Sequence, residues 1–295
     1  MYVSVIRRIL SILGLYGALV GSAGWAQFLP APSNGAPFGP LEQWRSAILA
    51  GDTLRLKMLY SVNPPATIGA GASETPVNAD AEIGFWRSLK VQGINLKIDQ
   101  SNSPQTGLHQ VVFVAEVKSA AKAPGRTVYV SEGQLWAQQG EQWRIVAAKR
   151  GDIARLEQPI STNKDLYPAG VDAEAAIKEA REHAAKSGKH VLLVFGANWC
   201  YDCHVLEAAF HRPDLAALLE KNFEVVHVDV GEGDRNQELM KLYEVPMSKG
   251  IPGLAVLDGS GKLLYSQKNG EFEHARALAP EDLARFLNRW KPEKR

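Results

Sequence analysis

The chain has 295 residues, 45% of them hydrophobic, and its 33 lysines and arginines nearly balance 32 aspartates and glutamates, for a formal net charge of +1. This length is sufficient for two compact domains. A balanced charge lacks the basic excess that nucleic-acid binding requires, so we expect no nucleic-acid partner.

The first segment has the features of an export signal. Arg7-Arg8 precede an apolar run over residues 9–20, which is too short for a comfortable membrane span. A small-x-small sequence ends at Ala26. We therefore expect residues 1–26 to be a signal peptide cleaved near Ala26, which makes the mature protein periplasmic or secreted; an uncleaved anchor is the alternative. Residues 27–40, rich in Pro, Gly and Ser, predict an extended lead-in.

Residues 41–157 predict an α+β domain. Apolar periodicity indicates helices over 41–60 and 79–89. Strand-like segments follow at 94–98, 111–117, 127–137 and 142–148. Helices followed by an antiparallel meander are typical of the α+β class.

This order resembles the NTF2-like, or SnoaL-like, superfamily, whose curved sheet wraps around a helix to form a cone. The resemblance depends on Trp44, Ala50-Gly51-Asp52, Phe85-Trp86, Trp136 and Trp143. It implies a ligand pocket or a dimer interface but no particular activity. At core spacing, the four tryptophans are expected to pack rather than to line a pocket.

Residues 158–171 predict a linker, and residues 172–295 predict a second domain. Asp172 can cap a helix that ends near residue 186, just before Gly188. The apolar run 191–195 then predicts a strand buried on both faces.

The two cysteines of the chain, Cys200 and Cys203, follow this strand. A disulfide that closes so short a loop stabilises little, so reversible dithiol chemistry is the better interpretation. With no second cysteine pair, zinc is not expected, and neither is any other metal. His204 completes a C-x-x-C-H pattern, which leaves covalent haem attachment as an alternative.

The cysteines lie where the predicted strand becomes a helix. Backbone N–H groups at a helix start favour an anion and therefore favour a cysteine thiolate. Cys200 is then expected to be the exposed nucleophile. Cys203, one helical turn on, is expected to attack the mixed disulfide and release the partner.

Residues 172–292 resemble the thioredoxin superfamily. The strand 191–195, the Trp199-to-Cys203 motif and Ile251-Pro252 carry the resemblance. It implies that Pro252 is cis and faces the dithiol, that Ile251 pairs through its backbone with an extended substrate, that Trp199 belongs to the substrate-binding surface, and that no cofactor is needed. The fold class is therefore an α+β NTF2-like cone domain followed by an α/β thioredoxin-fold domain.

Four residues depart from the family pattern or tune it. Val194 occupies the position of the buried acid that many thioredoxins use in proton transfer, so water or Glu207 must serve instead. Asp202 either disfavours the Cys200 thiolate, which argues for a reductant, or is simply an acidic residue favoured at a helix start. His204 is expected to be a surface residue of the first helical turn.

The sequence thus predicts an exported thiol–disulfide oxidoreductase, leaning toward a reductant, that exchanges with protein thiols and disulfides. An oxidising envelope requires a membrane or envelope redox partner to return electrons. The NTF2-like domain would select a partner or form a homodimer. The alternative is a ligand- or protein-binding NTF2-like module whose thioredoxin domain is a scaffold or redox switch.

Overall fold

The computed structural model describes residues 38–71, 73, 75–121 and 126–293, and the chain divides into two compact units between Ile153 and Ala154. The predicted signal peptide, 1–26, and most of the lead-in lie outside the described residues. In the described ranges, no helix is both long enough and apolar enough to cross a membrane.

The first unit packs helices against a five-stranded, mostly antiparallel sheet. Its elements are α1 (Gly39–Ala50), α2 (Thr53–Leu59), β1 (Thr67–Ala70), α3 (Ala79–Ser88), β2 (Val91–Asn102), β3 (Leu108–Ser119), β4 (Arg126–Gln139) and β5 (Gln142–Arg150). The strands lie in the order β1-β5-β4-β3-β2, and β1 pairs in parallel with β5. The expected helix over 41–60 is two helices, because Gly51 is left-handed and Asp52 caps the second helix by accepting from the Arg55 N–H.

Tryptophans fill the core of this unit. Trp44, Trp86 and Trp136 are each at most 2% exposed. Trp44 contacts Trp86 edge to face, with ring centroids 5.1 Å apart. These three rings therefore pack as expected for core residues, and the fourth, Trp143, is partly buried and packs against the same core.

Charged side chains are buried beside this core. The Arg150 Nε lies 2.9 Å from a carboxylate oxygen of Glu82. Glu132 Oε1 accepts from the Gln134 side chain at 2.8 Å, and Glu132 Oε2 has no hydrogen-bond partner in the described part of the chain. Burial raises the pKa of Glu132 well above its usual value, and the negative charge of Glu82 raises it further.

The second unit places helices on both faces of a mixed sheet. Its elements are α4 (Ala173–Ser187), β6 (His190–Gly196), α5 (Tyr201–Phe210), α6 (Pro213–Asn222), β7 (Phe223–Asp229), α7 (Gln237–Leu242), a 3-10 turn (Met247–Lys249), β8 (Gly253–Leu257), β9 (Leu263–Ser266), a 3-10 turn (Ala275–Ala277) and α8 (Pro280–Trp290). The strand order is β7-β6-β8-β9; β6 is parallel to β7 and antiparallel to β8. β6 is buried on both faces, as its apolar run predicts.

The caps of α4 follow the sequence signals. The Asp172 side chain accepts from the Ala175 N–H at 3.0 Å, and Gly188 adopts the left-handed conformation that ends the helix.

The segment expected to be a linker, 158–171, packs into the second unit. Leu166 and Tyr167 belong to a hydrophobic core shared with β6, and Leu156, before the expected boundary, belongs to another core of the same unit. These apolar side chains are each at most 8% exposed. Because burial of apolar surface is favourable, the segment packs against the domain and does not form a solvent-exposed linker. The architecture itself is the predicted one, an α+β cone-type unit followed by an α/β thioredoxin-type unit.

Candidate active site

Cys200 and Cys203 form a disulfide at the start of α5. Cys200 is the N-cap residue, and its sulfur accepts from the Cys203 N–H at 3.1 Å. A sulfur at this position faces the unpaired amides and the positive end of the helix dipole. The local backbone can therefore stabilise a Cys200 thiolate after reduction.

The Ile251-Pro252 segment lies directly against the Cys200 sulfur. The Sγ atom is 3.6 Å from the Ile251 carbonyl oxygen, and the Ile251–Pro252 peptide bond is cis. This contact corrects the expectation that Cys200 is exposed: the residue is 4% exposed, against 1% for Cys203. The Ile251 carbonyl is thus in contact with the sulfur of the first motif cysteine.

Trp199 is the exposed part of the motif. Its side chain lies beside the dithiol with 52% of the residue exposed, and its Nε1 donates to the Gly231 carbonyl at 2.9 Å. One hydrogen bond thus fixes the ring orientation while its surface stays in solvent. An ordered, exposed indole is suited to contact an extended peptide.

Asp202 is buried and paired, which changes the reasoning about its charge. The guanidinium of Arg276 lies 2.5 Å from one carboxylate oxygen, and the Arg276 backbone N–H donates to the other at 2.9 Å. The Arg276 guanidinium also lies over the Tyr201 ring. The charge of Asp202, which lies between the two cysteines in the sequence, is therefore compensated by Arg276.

His204 is buried, contrary to the expectation of a surface residue. The residue is 4% exposed, because its Nε2 donates to the Asn198 carbonyl at 2.8 Å. Covalent haem attachment needs two free cysteine sulfurs and a histidine nitrogen that faces iron. The His204 Nε2, which is engaged by the Asn198 carbonyl, does not fit that group.

Val194 lies on β6, and Glu207 lies on α5. Val194 is buried in an apolar core and pairs in register with His227 on β7. The two Glu207 carboxylate oxygens accept from His211 at 3.0 Å and from His227 at 2.9 Å. Burial raises the pKa of Glu207, but hydrogen bonds and charge from the two histidines outweigh burial and lower it.

Asn198 joins the motif loop to Tyr167, a link that sequence reasoning missed. The Tyr167 N–H donates to the Asn198 Oδ1 at 2.9 Å, and the Asn198 Nδ2 donates to the Tyr167 carbonyl at 2.8 Å. Tyr167 came from the supposed linker, so no local pattern connected it with the cysteines. Arg276 was missed for the same reason, since it lies 74 residues from Asp202 in the sequence.

Residues 172–259 match a family model described as Thioredoxin-like. Together with the sheet order and the disulfide at the start of α5, this match makes the second unit a thioredoxin-like domain.

The chain is similar to two curated proteins named for thiol–disulfide interchange. It is 30% identical over 155 residues to thiol:disulfide interchange protein DsbD 2 of Pseudomonas aeruginosa, and 27% identical over 152 residues to DsbD of Pseudomonas fluorescens. Each alignment covers 50% of this chain and 23% of the relative. The chain therefore spans about a quarter of the length of these relatives.

Solved structures resemble each unit separately. A disulphide isomerase from Xylella fastidiosa is 39% identical, with 42% of this chain and 95% of that chain covered, at a TM-score of 0.41. An NTF2-like protein from Rhodospirillum rubrum is 19% identical, with 38% and 94% covered, at a TM-score of 0.33.

Proposed function

We propose that the protein is a thiol–disulfide oxidoreductase in which Cys200 attacks and Cys203 resolves. The observation that carries this proposal is the Cys200–Cys203 disulfide at the start of α5, whose first sulfur lies against the Ile251 carbonyl. A helix start activates the nucleophile, and the Ile251-Pro252 backbone segment beside it would hold the substrate. An activated nucleophile and a segment that can hold the substrate are thus both found at the Cys200 sulfur.

The reaction transfers two electrons from the dithiol to a substrate disulfide. The Cys200 thiolate forms a bond to one substrate sulfur, and the second substrate sulfur leaves as a thiolate. Cys203 then loses its proton to solvent, its thiolate attacks Cys200, and the bond between Cys200 and the substrate breaks. The products are the Cys200–Cys203 disulfide and two reduced substrate thiols.

Two contacts of the site support a reductant. The Cys200 sulfur faces the negative end of the Ile251 carbonyl dipole at 3.6 Å, which disfavours a thiolate. The guanidinium of Arg276 is engaged by Asp202 and does not offer an unpaired positive charge to the motif. Because a strong oxidant needs a strongly stabilised reduced form, these features favour the opposite direction.

The proposed location is the bacterial envelope, with export through residues 1–26. A dithiol donor of the membrane or envelope would then reduce the Cys200–Cys203 disulfide after each cycle, and protein disulfides would be the substrates. The names of the two curated relatives support thiol–disulfide interchange as the reaction class.

The first unit is proposed to choose the partner or to form a homodimer. The burial of Trp44, Trp86 and Trp136 favours a packed interior for this unit over a large ligand pocket. A binding protein with a redox-sensitive second unit is the competing function, and it predicts no turnover of disulfides.

The test is insulin reduction with dithiothreitol as electron donor, together with the reduction potential of the dithiol. We expect turnover by the wild type and none by Cys200→Ser, with thermal unfolding unchanged. The reduction potential of the dithiol should lie nearer that of thioredoxin, on the order of −270 mV, than that of strong oxidants. Cys203→Ser should accumulate mixed disulfides with partners. A wild type that exchanges with no thiol couple would overturn the proposal.

A further inference from the structure

A buried hydroxyl borders the resolving cysteine. Tyr167 is fully buried, and its hydroxyl has no hydrogen-bond partner among the described residues. A Cβ atom at Gly196 would lie 2.9 Å from the Cys203 sulfur and closer still to the Tyr167 hydroxyl oxygen. The tip of the Tyr167 ring therefore fills the space that a side chain at residue 196 would take, and the Cys203 sulfur borders the same space.

The position of Tyr167 is set by the loop that carries the motif. Asn198, two residues before Cys200, holds the Tyr167 backbone through two reciprocal hydrogen bonds of 2.9 and 2.8 Å. The Asn198 carbonyl is in turn held by His204 from α5. These bonds fix the tyrosine relative to the dithiol from both sides of the motif.

The surroundings of Tyr167 keep its hydroxyl protonated. Burial raises the pKa of Tyr167, and the negative charges of Glu207 and Asp229 raise it further. The ring of His227 packs edge to face against Tyr167, with centroids 5.4 Å apart. The group is therefore a neutral donor over the whole range in which thiols titrate.

We infer that the Tyr167 hydroxyl donates a hydrogen bond to Cys203 when the disulfide is opened, and that Tyr167 is a positioning residue for the resolving thiolate. The inference rests on the proposed exchange function. A disulfide sulfur carries no charge and accepts weakly, which explains a hydroxyl without a partner in this oxidised form. Once the Cys203 thiol has released its proton to solvent, the thiolate becomes a strong acceptor beside the hydroxyl.

The electron balance of the resolving step is unchanged by this bond. Tyr167 keeps its proton throughout. The Cys203 electron pair forms the new bond to Cys200, and the bond from Cys200 to the substrate sulfur breaks. The hydroxyl lowers the free energy of the attacking thiolate, so it shifts the pH at which that thiolate forms and also reduces its intrinsic nucleophilicity.

The experiment follows the two steps of the full chain separately. The reduced protein, in excess, reacts with the aromatic disulfide 5,5′-dithiobis(2-nitrobenzoate) in a stopped-flow instrument from acid to alkaline pH. Attack by Cys200 releases the first equivalent of coloured thiolate, and resolution by Cys203 releases the second. Wild type is compared with Tyr167→Phe, which removes only the hydroxyl. The control is Tyr243→Phe, since Tyr243 is buried in the same core.

In Tyr167→Phe, we expect the pH midpoint of the second step to rise by about one unit, because a hydrogen bond to a charged group is lost. A tenfold smaller thiolate fraction, partly offset by a more nucleophilic thiolate, makes the second step about threefold slower below the midpoint. Above the midpoint the variant becomes about threefold faster than wild type. The first step and the Tyr243→Phe profile should be unchanged.

If Tyr167 stabilises the thiolate, the pH profiles of the second step for wild type and Tyr167→Phe should cross. If Tyr167 only packs, they should not cross. Slowing by one factor at every pH, or superimposable profiles of wild type and Tyr167→Phe, would overturn the inference while the exchange function stands. A wild type that releases no second equivalent would contradict the proposed function itself. Thermal unfolding of each variant shows whether its fold is intact.

Discussion

Arg276 donates both its backbone N–H and its guanidinium to the carboxylate of Asp202, the residue that immediately precedes Cys203. Asp202 is buried in the first turn of α5, whereas Arg276 lies in the 3-10 turn Ala275–Ala277. The charge beside the dithiol is therefore set by a pair and not by one acidic side chain.

Replacing Arg276 with Ala should make the dithiol a stronger reductant. The unpaired Asp202 charge then disfavours the thiolates of the reduced form, and we expect a potential about 30 mV more negative, equivalent to a tenfold change in the exchange equilibrium. Because the pair is partly exposed, the free energy of unfolding should fall by only about 1–2 kcal/mol. Equilibration with glutathione measures the potential.

The double variant Asp202→Asn with Arg276→Ala is the control for that measurement. It removes both charges, so its potential should return toward the wild-type value, as a double-mutant cycle reports. Equal potentials in the wild type and in Arg276→Ala would contradict charge compensation.

Trp199→Ala should weaken the binding of protein substrates but not the reaction with small disulfides. The exposed indole contributes contact area beside Cys200, so KM for insulin should rise about threefold to tenfold. Because the indole contributes little to folding, the free energy of unfolding should change by less than about 1 kcal/mol. The rate with a small aromatic disulfide should stay the same. Leu242→Ala, another exposed apolar residue of this unit, serves as the matched control. An equal loss with both substrates would argue against a substrate-binding role.

A fragment that begins at residue 154 should be markedly more stable than one that begins at residue 172. The shorter fragment lacks Leu156 and Tyr167, which are both fully buried in the second unit. Loss of two such side chains should cost on the order of several kcal/mol. Urea denaturation compares the two fragments, and equal midpoints would mean that 154–171 contributes no packing energy.

Glu132→Gln should stabilise the protein at neutral and alkaline pH. The folded-state pKa of Glu132 is raised by burial and by Glu82, so the unfolded chain releases this proton at a lower pH than the folded chain does. Stability is therefore lost as pH rises above the unfolded pKa, and glutamine avoids that loss while still accepting from Gln134. We expect a gain of about 1 kcal/mol at pH 8 that shrinks toward pH 4.

Chemical denaturation at the two pH values tests the sign of this dependence. A gain of equal size at both would show that the carboxyl does not change protonation on folding. The control variant is Glu116→Gln, a partly exposed glutamate on the neighbouring strand β3.

Local signals account for most of the fold. The cap residues Asp172 and Gly188 delimit α4, and the apolar run of β6 leads into the cysteine motif as predicted. The strand β1 was not predicted, because it has only four residues and its partner β5 lies far along the chain. Its stability comes from pairing, which a short sequence window does not contain.

The candidate site divides in the same way. Cys200, Cys203 and Pro252 could be predicted because family-like motifs surround them. The partners of Asp202 and of Asn198 could not, since they lie 74 and 31 residues away and meet only in the folded chain. The burial of His204 was also hidden, because it depends on a single carbonyl of the preceding loop.

The absence of a side chain at Gly196 gives related proteins a joint constraint. Any larger residue there would displace either the tyrosine ring or the Cys203 sulfur. Relatives that keep tyrosine at the position of Tyr167 should therefore keep glycine at 196, whereas chains with a smaller residue at 167 are free to vary there. This paired substitution pattern is a covariation signature by which chains with the same arrangement can be recognised from sequence.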